Sequence, residues 1–453
     1  MNKARLKTLN DKPVCNRRYV LYWMQQSQRV AYNHALEYAV RAARKRDQGV
    51  VVCFGVTDDY PDANLRHYDF MLRGLAEVAQ DLRQRDIRFV LRYGSPPEVA
   101  LQLAEVASLV VCDRGYLRHQ RQWRRQLAAD APCRVIQVES DVVIPIEEVS
   151  DKQEYAARTI RKKINSRIGD HLEALSQSRP AKSTLRISLP GDGDLDATRP
   201  DSVLEKLEID KSVGPVERFQ PGYKAARKVL SSFLRARLDG YAESRNDPAD
   251  PAGSTLSPYL HFGQLSPVEI TRRVQDASSG SKADEEDFLE ELIVRRELAA
   301  NFVYHCDDYD SFRSLPDWAK KTLDEHSDDE REYVYTRKQL ELGDTHDEYW
   351  NAAQREMTRT GYMHNYMRMY WGKKILEWTN TPEYAYATAL YLNNKYFLDG
   401  RDPNSFANVA WLFGLHDRPW TERDIFGKVR YMNARGLERK FDIEEYVEWA
   451  NAL

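Results

Sequence analysis

Between residues 361 and 371 the chain reads GYMHNYMRMYW, which compresses an amide, a guanidinium, a thioether and an indole into about three helical turns. At 3.6 residues per turn Asn365, Arg368 and Met369 share one face, because i, i+3 and i+4 side chains are neighbours. That face carries polar groups able to hold a ligand. His364, Trp371 and Trp378 recur every seven residues and drift only about 20° per heptad, so another face carries a line of aromatics. Taken alone, the segment also reads as a core helix rich in Met and Tyr.

Four further segments bear on the choice. Residues 253–263, GSTLSPYLHFG, set Ser254, Thr255 and Ser257 in a Gly-containing turn before Pro258. Backbone N–H groups and hydroxyls clustered at a helix start form an anion site, although a simple helix cap uses the same residues. Residues 290–297, EELIVRRE, put Glu291 and Arg295 one turn apart, which by itself suggests a surface ion pair. Residues 398–411 read LDGRDPNSFANVAW and residues 426–441 read FGKVRYMNARGLERKF. In this order the segments resemble the photolyase/cryptochrome family, and the flanking sequence resembles its class II branch, the cyclobutane pyrimidine dimer photolyases.

The resemblance implies FAD, reduced in the active state. Ser254, Thr255, Leu256 and Ser257 would then hold its pyrophosphate, with Tyr241 and Asn365 contacting the flavin. Arg368 would lie over the ring and pair with Asp399, and a cation there favours the reduced anion. Asn393 is expected to face flavin N5, with Asn404 as its rival. Glu291 would hydrogen-bond the damaged pyrimidines and stabilise charge developing on them. Met369 and Trp411 would line the lesion pocket, where Val294 replaces a second tryptophan of other branches. The usual first electron carrier of those branches is Val409 here, so the resemblance routes electrons through Trp371, Trp350 and Trp378.

Seven Lys or Arg against three acidic residues fall between Arg418 and Lys440, a local net of +4 (7 − 3), interleaved with Trp420, Phe426 and Tyr431. Charge with aromatics suits DNA backbone contact and the filling of a gap left by flipped bases. Arg418, Lys428 and Arg430 are the candidates there, and Arg245, four residues after Tyr241, is another.

The whole chain has a net charge of −3, so any affinity for DNA must come from such a local patch. Its 453 residues imply two or three domains. With 42% apolar and 30% charged residues, no signal segment and no membrane-length apolar run, the protein is expected to be soluble and intracellular, cytoplasmic or nucleoid-associated in a prokaryote. A monomer is expected. The five cysteines are widely spaced, with no CxxC pair to suggest a metal, and read as buried reduced thiols.

Residues 1–165 alternate strand-like runs (18–24, 50–56, 87–93, 109–113 and 134–139) with amphipathic stretches (29–46, 65–85, 97–106 and 117–129). That rhythm predicts an α/β, Rossmann-like domain with a mainly parallel sheet. It lacks a GxGxxG fingerprint. In the resembling family this domain can hold an antenna chromophore, a deazaflavin or a folate. Residues 166–215 lose the rhythm and read as an interdomain linker crossing the surface. Residues 216–453 read as an all-α FAD-binding, catalytic and DNA-binding domain, with helices over 221–241, 266–276, 283–303, 347–377, 383–396 and 442–452.

The function implied is light-dependent DNA repair. Reduced FAD would transfer an electron to a flipped-out cyclobutane pyrimidine dimer and split it into two pyrimidines, which makes the enzyme a carbon–carbon lyase. The alternatives are a blue-light photoreceptor of the cryptochrome type and a (6-4) photolyase, which would enlist His261 or His364.

Overall fold

Runs of β-branched residues build the first half of the chain. The computed structural model describes residues 2–250 and 252–453. Strands β1 (Leu6–Thr8), β2 (Tyr19–Trp23), β3 (Gly49–Val56), β4 (Arg88–Tyr93), β5 (Ala107–Asp113), β6 (Val135–Val138) and β7 (Asp194–Leu195) form one sheet in the order β1-β6-β5-β2-β3-β4-β7. The strands β2 to β6 run parallel, and the edge strands β1 and β7 are antiparallel. Every residue of β2, β3, β5 and β6 is buried, because helices cover both faces. Those helices are α1 (His34–Arg44), α2 (Leu65–Gln84), α3 (Pro96–Ala104) and α4 (Arg118–Asp130). The strand order reverses at β2, so the carboxyl ends of β2, β3 and β5 open the crevice in which such sheets bind ligands.

The expected parallel strands and helices are present, with ends shifted by a few residues. The largest shift is at α1, where residues 29–33 form a turn and the Asn33 side chain caps the helix by accepting the Leu36 N–H at 2.9 Å. The short strands β1 and β7 carry no periodic signal and were not expected. The stretch expected to cross the surface is stitched to the sheet. Leu195 pairs with Leu91, Thr184 Oγ1 donates to the Val50 carbonyl at 2.6 Å, and Asn64 bridges to Asp210.

From residue 223 the chain is helical. The elements used below are α5 (Tyr223–Ala236), α6 (Arg296–His305), α7 (Glu348–Thr360), α8 (Asn365–Glu377), α9 (Pro382–Tyr396), α10 (Pro403–Leu412) and α11 (Ile443–Asn451). One correction concerns the single helix expected over 347–377, which is two. Gly361 closes α7 in the left-handed region at φ 70°, which glycine adopts without a Cβ penalty. The His364 ring then accepts the Tyr366 N–H at 3.3 Å and caps α8. The informative motif is therefore a turn followed by a helix. Buried Trp350, Met357, Met367, Tyr370 and Trp371 belong to the core that α7 and α8 share.

Two arginines lock the halves together. Arg66 of α2 donates to the carbonyls of Met357, Thr358 and Tyr396 at 3.3, 2.6 and 2.6 Å, a cation set against the carbonyl ends of α7 and α9. Arg29 is fully buried and bridges Asp141 and the Gly263 carbonyl, both at 2.8 Å. Cys53, Cys112 and Cys133 are buried as expected, whereas Cys15 and Cys306 are only half-buried. Among the described residues no helix is long and apolar enough to cross a membrane.

Candidate functional site

Helix α8 and the loop after α9 are held together by backbone and charge. The Leu398 N–H donates to the Gly361 carbonyl at 2.9 Å, which sets Asp399 opposite Arg368. Arg368 grips both Asp399 oxygens, Nη1 and Nη2 each at 3.1 Å, and its guanidinium lies 3.9 Å from the Phe397 ring centroid. Asp399 is buried and Arg368 mostly so, a bidentate geometry that gives orientation as well as energy. Beside them Asn365 is exposed, and its amide has no hydrogen-bond partner among the described residues. Met369 is half-buried on the same helix.

Ser254, Thr255 and Ser257 are half-buried in the turn ahead of Pro258, with Leu256 buried beneath them. Thr255 stands at φ 53°, a strained conformation for a β-branched residue and of a kind that concentrates at ligand clamps. Tyr241 is buried edge-on between Phe233 and Phe288. The Arg245 carbonyl lies 3.1 Å from His364 Nε2, so the Tyr241 segment is tied to the cap of α8.

Glu291 sits in a π-helical turn, Glu290–Arg295, at the entry to α6. Such turns are rare and cluster at functional sites. The turn changes the pairing that α-helical spacing suggested. Arg295 donates to Glu290 at 3.0 Å, and Arg161 grips the same carboxylate at 2.6 and 2.9 Å. Glu291, freed from Arg295, pairs with Arg245 at 3.1 Å, and Arg245 also reaches Asp287 at 2.6 Å. Arg245 is thus held among carboxylates on the Glu291 side of the site. Val294 is buried in the same turn.

The tryptophans converge differently from a single helical face. Trp371, in the middle of α8, and Trp378, which caps its C-terminal end, both touch Trp350 of α7. Trp350 stacks on Trp371 with centroids 6.4 Å apart and rings 9° from parallel, and it meets Trp378 edge-on at 5.9 Å. All three are at most 2% exposed, which makes the row dry. Trp371 lies 6.4 Å from Phe397, so aromatic contact is continuous from the Arg368 site to Trp378.

Trp411, near the end of α10, is half-buried, with the Arg430 guanidinium 5.4 Å from its ring. Arg430 also lies 4.3 Å from the exposed Trp420 ring, which Arg418 approaches at 5.3 Å. Lys428 is exposed on the same loop, 3.8 Å from Glu422. The asparagine pair separates. Asn393 is buried and donates to Asn394 Oδ1 at 3.0 Å. Asn404 is half-buried, donates to Asp402 Oδ1 at 2.9 Å and lines a small pocket with Arg296, Arg401 and Asp402.

Sequence reasoning missed a second cavity, open to solvent, at the carboxyl ends of β2 and β3. Trp23, Phe54, Tyr60, Trp123 and Arg401 are among its lining residues. Several buried polar atoms around it have no partner: Trp23 Nε1, both amide atoms of Gln25, Gln28 Oε1, and Arg401 Nε and Nη1. Arg401 is fully buried and stands at φ 65°, and burial pulls its guanidinium down to about 10. Its remaining nitrogen lies 3.2 Å from His261 Nε2. The reversal of strand order at β2 was the signal that could have pointed here, but it is a property of the sheet and not of any motif.

Comparison with known proteins gives the family. The sequence pattern of the DNA photolyase family matches residues 20–181. The chain is 49% identical to a deoxyribodipyrimidine photo-lyase from Methanothermobacter thermautotrophicus over 100% of this chain and 99% of that one. It is 41% identical to the deoxyribodipyrimidine photo-lyase of Potorous tridactylus over 94% and 80% of the two chains. Its fold is similar to a bacterial class III photolyase from Agrobacterium tumefaciens, with a TM-score of 0.73 and 20% identity over 96% and 86% of the two chains. With relatives at 49% and 41% identity along nearly its whole length, the chain belongs to the DNA photolyase family.

Proposed function

We propose that this chain repairs cyclobutane pyrimidine dimers in DNA under light, with FAD held against α8. The observation that carries the reading is the convergence on that helix of the Arg368–Asp399 pair and a continuous tryptophan row, with the Glu291 turn tied to its cap through Arg245. The donor set suits FAD. The strained Thr255 turn offers hydroxyls and N–H groups to a pyrophosphate, and the partnerless Asn365 amide and the gripped Arg368 suit the polar edge of an isoalloxazine. Bound there in reduced form, FAD supplies the light-driven one-electron donation to the dimer.

The chain's own residues orient and shield. Arg368 presents a fixed cation whose carboxylate partner keeps it from turning away. Glu291 shares a hydrogen bond with the lesion, and Arg245 holds that carboxylate in place until the substrate competes for it. Met369 and Trp411 pack against the dimer. A dimer inside a duplex cannot reach a buried cofactor and must leave the stack, as is general for photolyases and other enzymes that act on bases. Arg418, Lys428 and Arg430 then meet the DNA backbone, and the Trp420 indole fills the gap. Trp378, Trp350 and Trp371 carry electrons inward to restore the reduced state. The flavin N5 position falls to Asn393, with Asn404 as its rival; both amides are engaged, Asn393 donating to Asn394 Oδ1 at 3.0 Å and Asn404 to Asp402 Oδ1 at 2.9 Å.

The cavity at the sheet's end supports an antenna chromophore of the deazaflavin or folate type. Its aromatic walls and unpartnered polar atoms suit the faces and edges of a planar heterocycle. A (6-4) reading has less support, because His364 caps α8 and His261 is held between Asp402 and Arg401.

The test uses anaerobically reduced protein and an oligonucleotide with one thymine cyclobutane dimer, followed by thymine absorbance under near-UV or blue light and in the dark. Light-dependent recovery that is lost in Glu291→Ala and Trp411→Ala is the expected result. No recovery from reduced, FAD-loaded protein that binds the oligonucleotide would overturn the proposal.

A further inference from the structure

Lys373 of α8 is fully buried, next to Gly372, which lies against Leu412 of α10. A Cβ on Gly372 would lie 2.1 Å from Leu412 Cδ1, so glycine at this position leaves room for the Leu412 side chain of α10. That contact leads the Lys373 side chain beneath the last turn of α10, where its ammonium donates to the Leu412 carbonyl. The same ammonium lies 5.2 Å from the Trp411 ring centroid. On its other approach Trp411 is met by Arg430, and Arg430 is steadied by Asp417 at 3.3 Å. We propose that Lys373 is a positioning residue for lesion binding, whose charge holds the Trp411 indole and the end of α10 in place. The inference rests on the reading of Trp411 as a wall of the lesion pocket.

The energetics separate this role from a structural one. A buried ammonium with one carbonyl partner is poorly compensated, and an apolar side chain of similar volume is often as stable or more so. The charged groups facing Lys373 are Asp417, which favours its protonated form, and Arg430, which opposes it. Burial outweighs both and pulls the amine down to about 7. Lys373 is therefore charged below neutrality and neutral above it. A cation against an indole and against helix-end carbonyls stabilises that geometry, and the neutral amine keeps only the hydrogen bond. Lesion affinity should accordingly be highest below pH 7 and fall as the pH rises past it.

The experiment measures the Kd of FAD-loaded protein for a thymine-dimer oligonucleotide from pH 6 to 9, with melting temperature in parallel, for the parent chain, Lys373→Met, Lys373→Gln and Trp411→Ala. The parent should weaken by about threefold to tenfold across the range, the scale of one cation–π contact. Lys373→Met should bind at the parent's pH 9 level at every pH while melting no lower than the parent at pH 6, and Lys373→Gln should show the same flat profile. Variants that keep the parent's affinity and pH profile, or that lose affinity only together with melting temperature, overturn the inference. If Trp411→Ala binds as the parent does, the pocket reading itself fails. A weakened Trp411→Ala beside parent-like Lys373 variants leaves that reading standing and removes only the role of Lys373.

Discussion

The cavity at the sheet's end and the site along α8 are in opposite electrostatic states. Around the cavity at the sheet's end, the Trp23 indole N–H, the Gln25 amide and two Arg401 nitrogens are buried without partners. Along α8 the charged groups are already matched, Arg368 with Asp399 and Glu291 with Arg245. An unpartnered buried donor or acceptor carries its full desolvation penalty, so the first region gains most when something fills it. The second is built in advance, and what binds there meets groups whose positions are already set.

The largest effect expected from breaking that contrast is in Asp399→Ala. It leaves the Arg368 guanidinium facing a lost partner, which at a mostly buried pair costs about 3 kcal/mol or more. Thermal denaturation should show the loss, and the purified variant should retain little flavin absorbance.

A second test uses Glu297, at the start of α6 and against the first half. It accepts the Val143 and Ile144 N–H groups at 2.6 and 3.3 Å, and its other oxygen has no partner. Burial pushes this carboxyl up to about 8. A raised carboxyl favours the protonated folded state, so its contribution is full below the unfolded value near 4.5 and is lost as pH rises through about 8. Melting measured from pH 5 to 9 should fall on the order of a few kcal/mol, and Glu297→Gln should remove most of that slope.

Arg401→Met should act in the opposite direction from Asp399→Ala. It removes a buried cation with unpartnered nitrogens, so the protein free of chromophore should gain about 1 to 2 kcal/mol in denaturant unfolding. It should also release any chromophore bound in the cavity, read in the absorbance of the purified protein. A loss of stability would show that Arg401 is better compensated than its contacts indicate.

Trp350→Phe should destabilise by about 1 to 2 kcal/mol, because it opens a cavity and removes the Trp350 indole's hydrogen bond to the Trp371 carbonyl. It interrupts the stack between Trp371 and Trp378, so light-driven reduction of oxidised flavin should slow sharply while repair by chemically pre-reduced protein continues. Equal loss of both activities would place Trp350 in the binding site instead of in the electron path.

How much of this was legible in the sequence differed between the halves. The parallel strands announced themselves as short β-branched runs, because strands buried on both faces must be apolar along their length. The edge strand β7, only two residues long, had no pattern to show. In the helical half the reverse held. The Arg368–Asp399 pair and the three tryptophans were found from motifs, while the helix ends were placed less well, since the break at Gly361 depends on one left-handed residue.

By itself the sequence determined the α/β-then-helical order, the family and the residue types of the α8 site, because periodicity and spaced motifs are local properties of a chain. Only the tertiary structure decided which partners those residues take. The π-helical turn hands Glu291 to Arg245, and Trp350 from a neighbouring helix joins two tryptophans that helical spacing alone placed side by side. The cavity between Trp23 and Arg401 is set by distance as well, since its walls come from segments hundreds of residues apart whose approach is fixed by packing and not by any spacing along the chain.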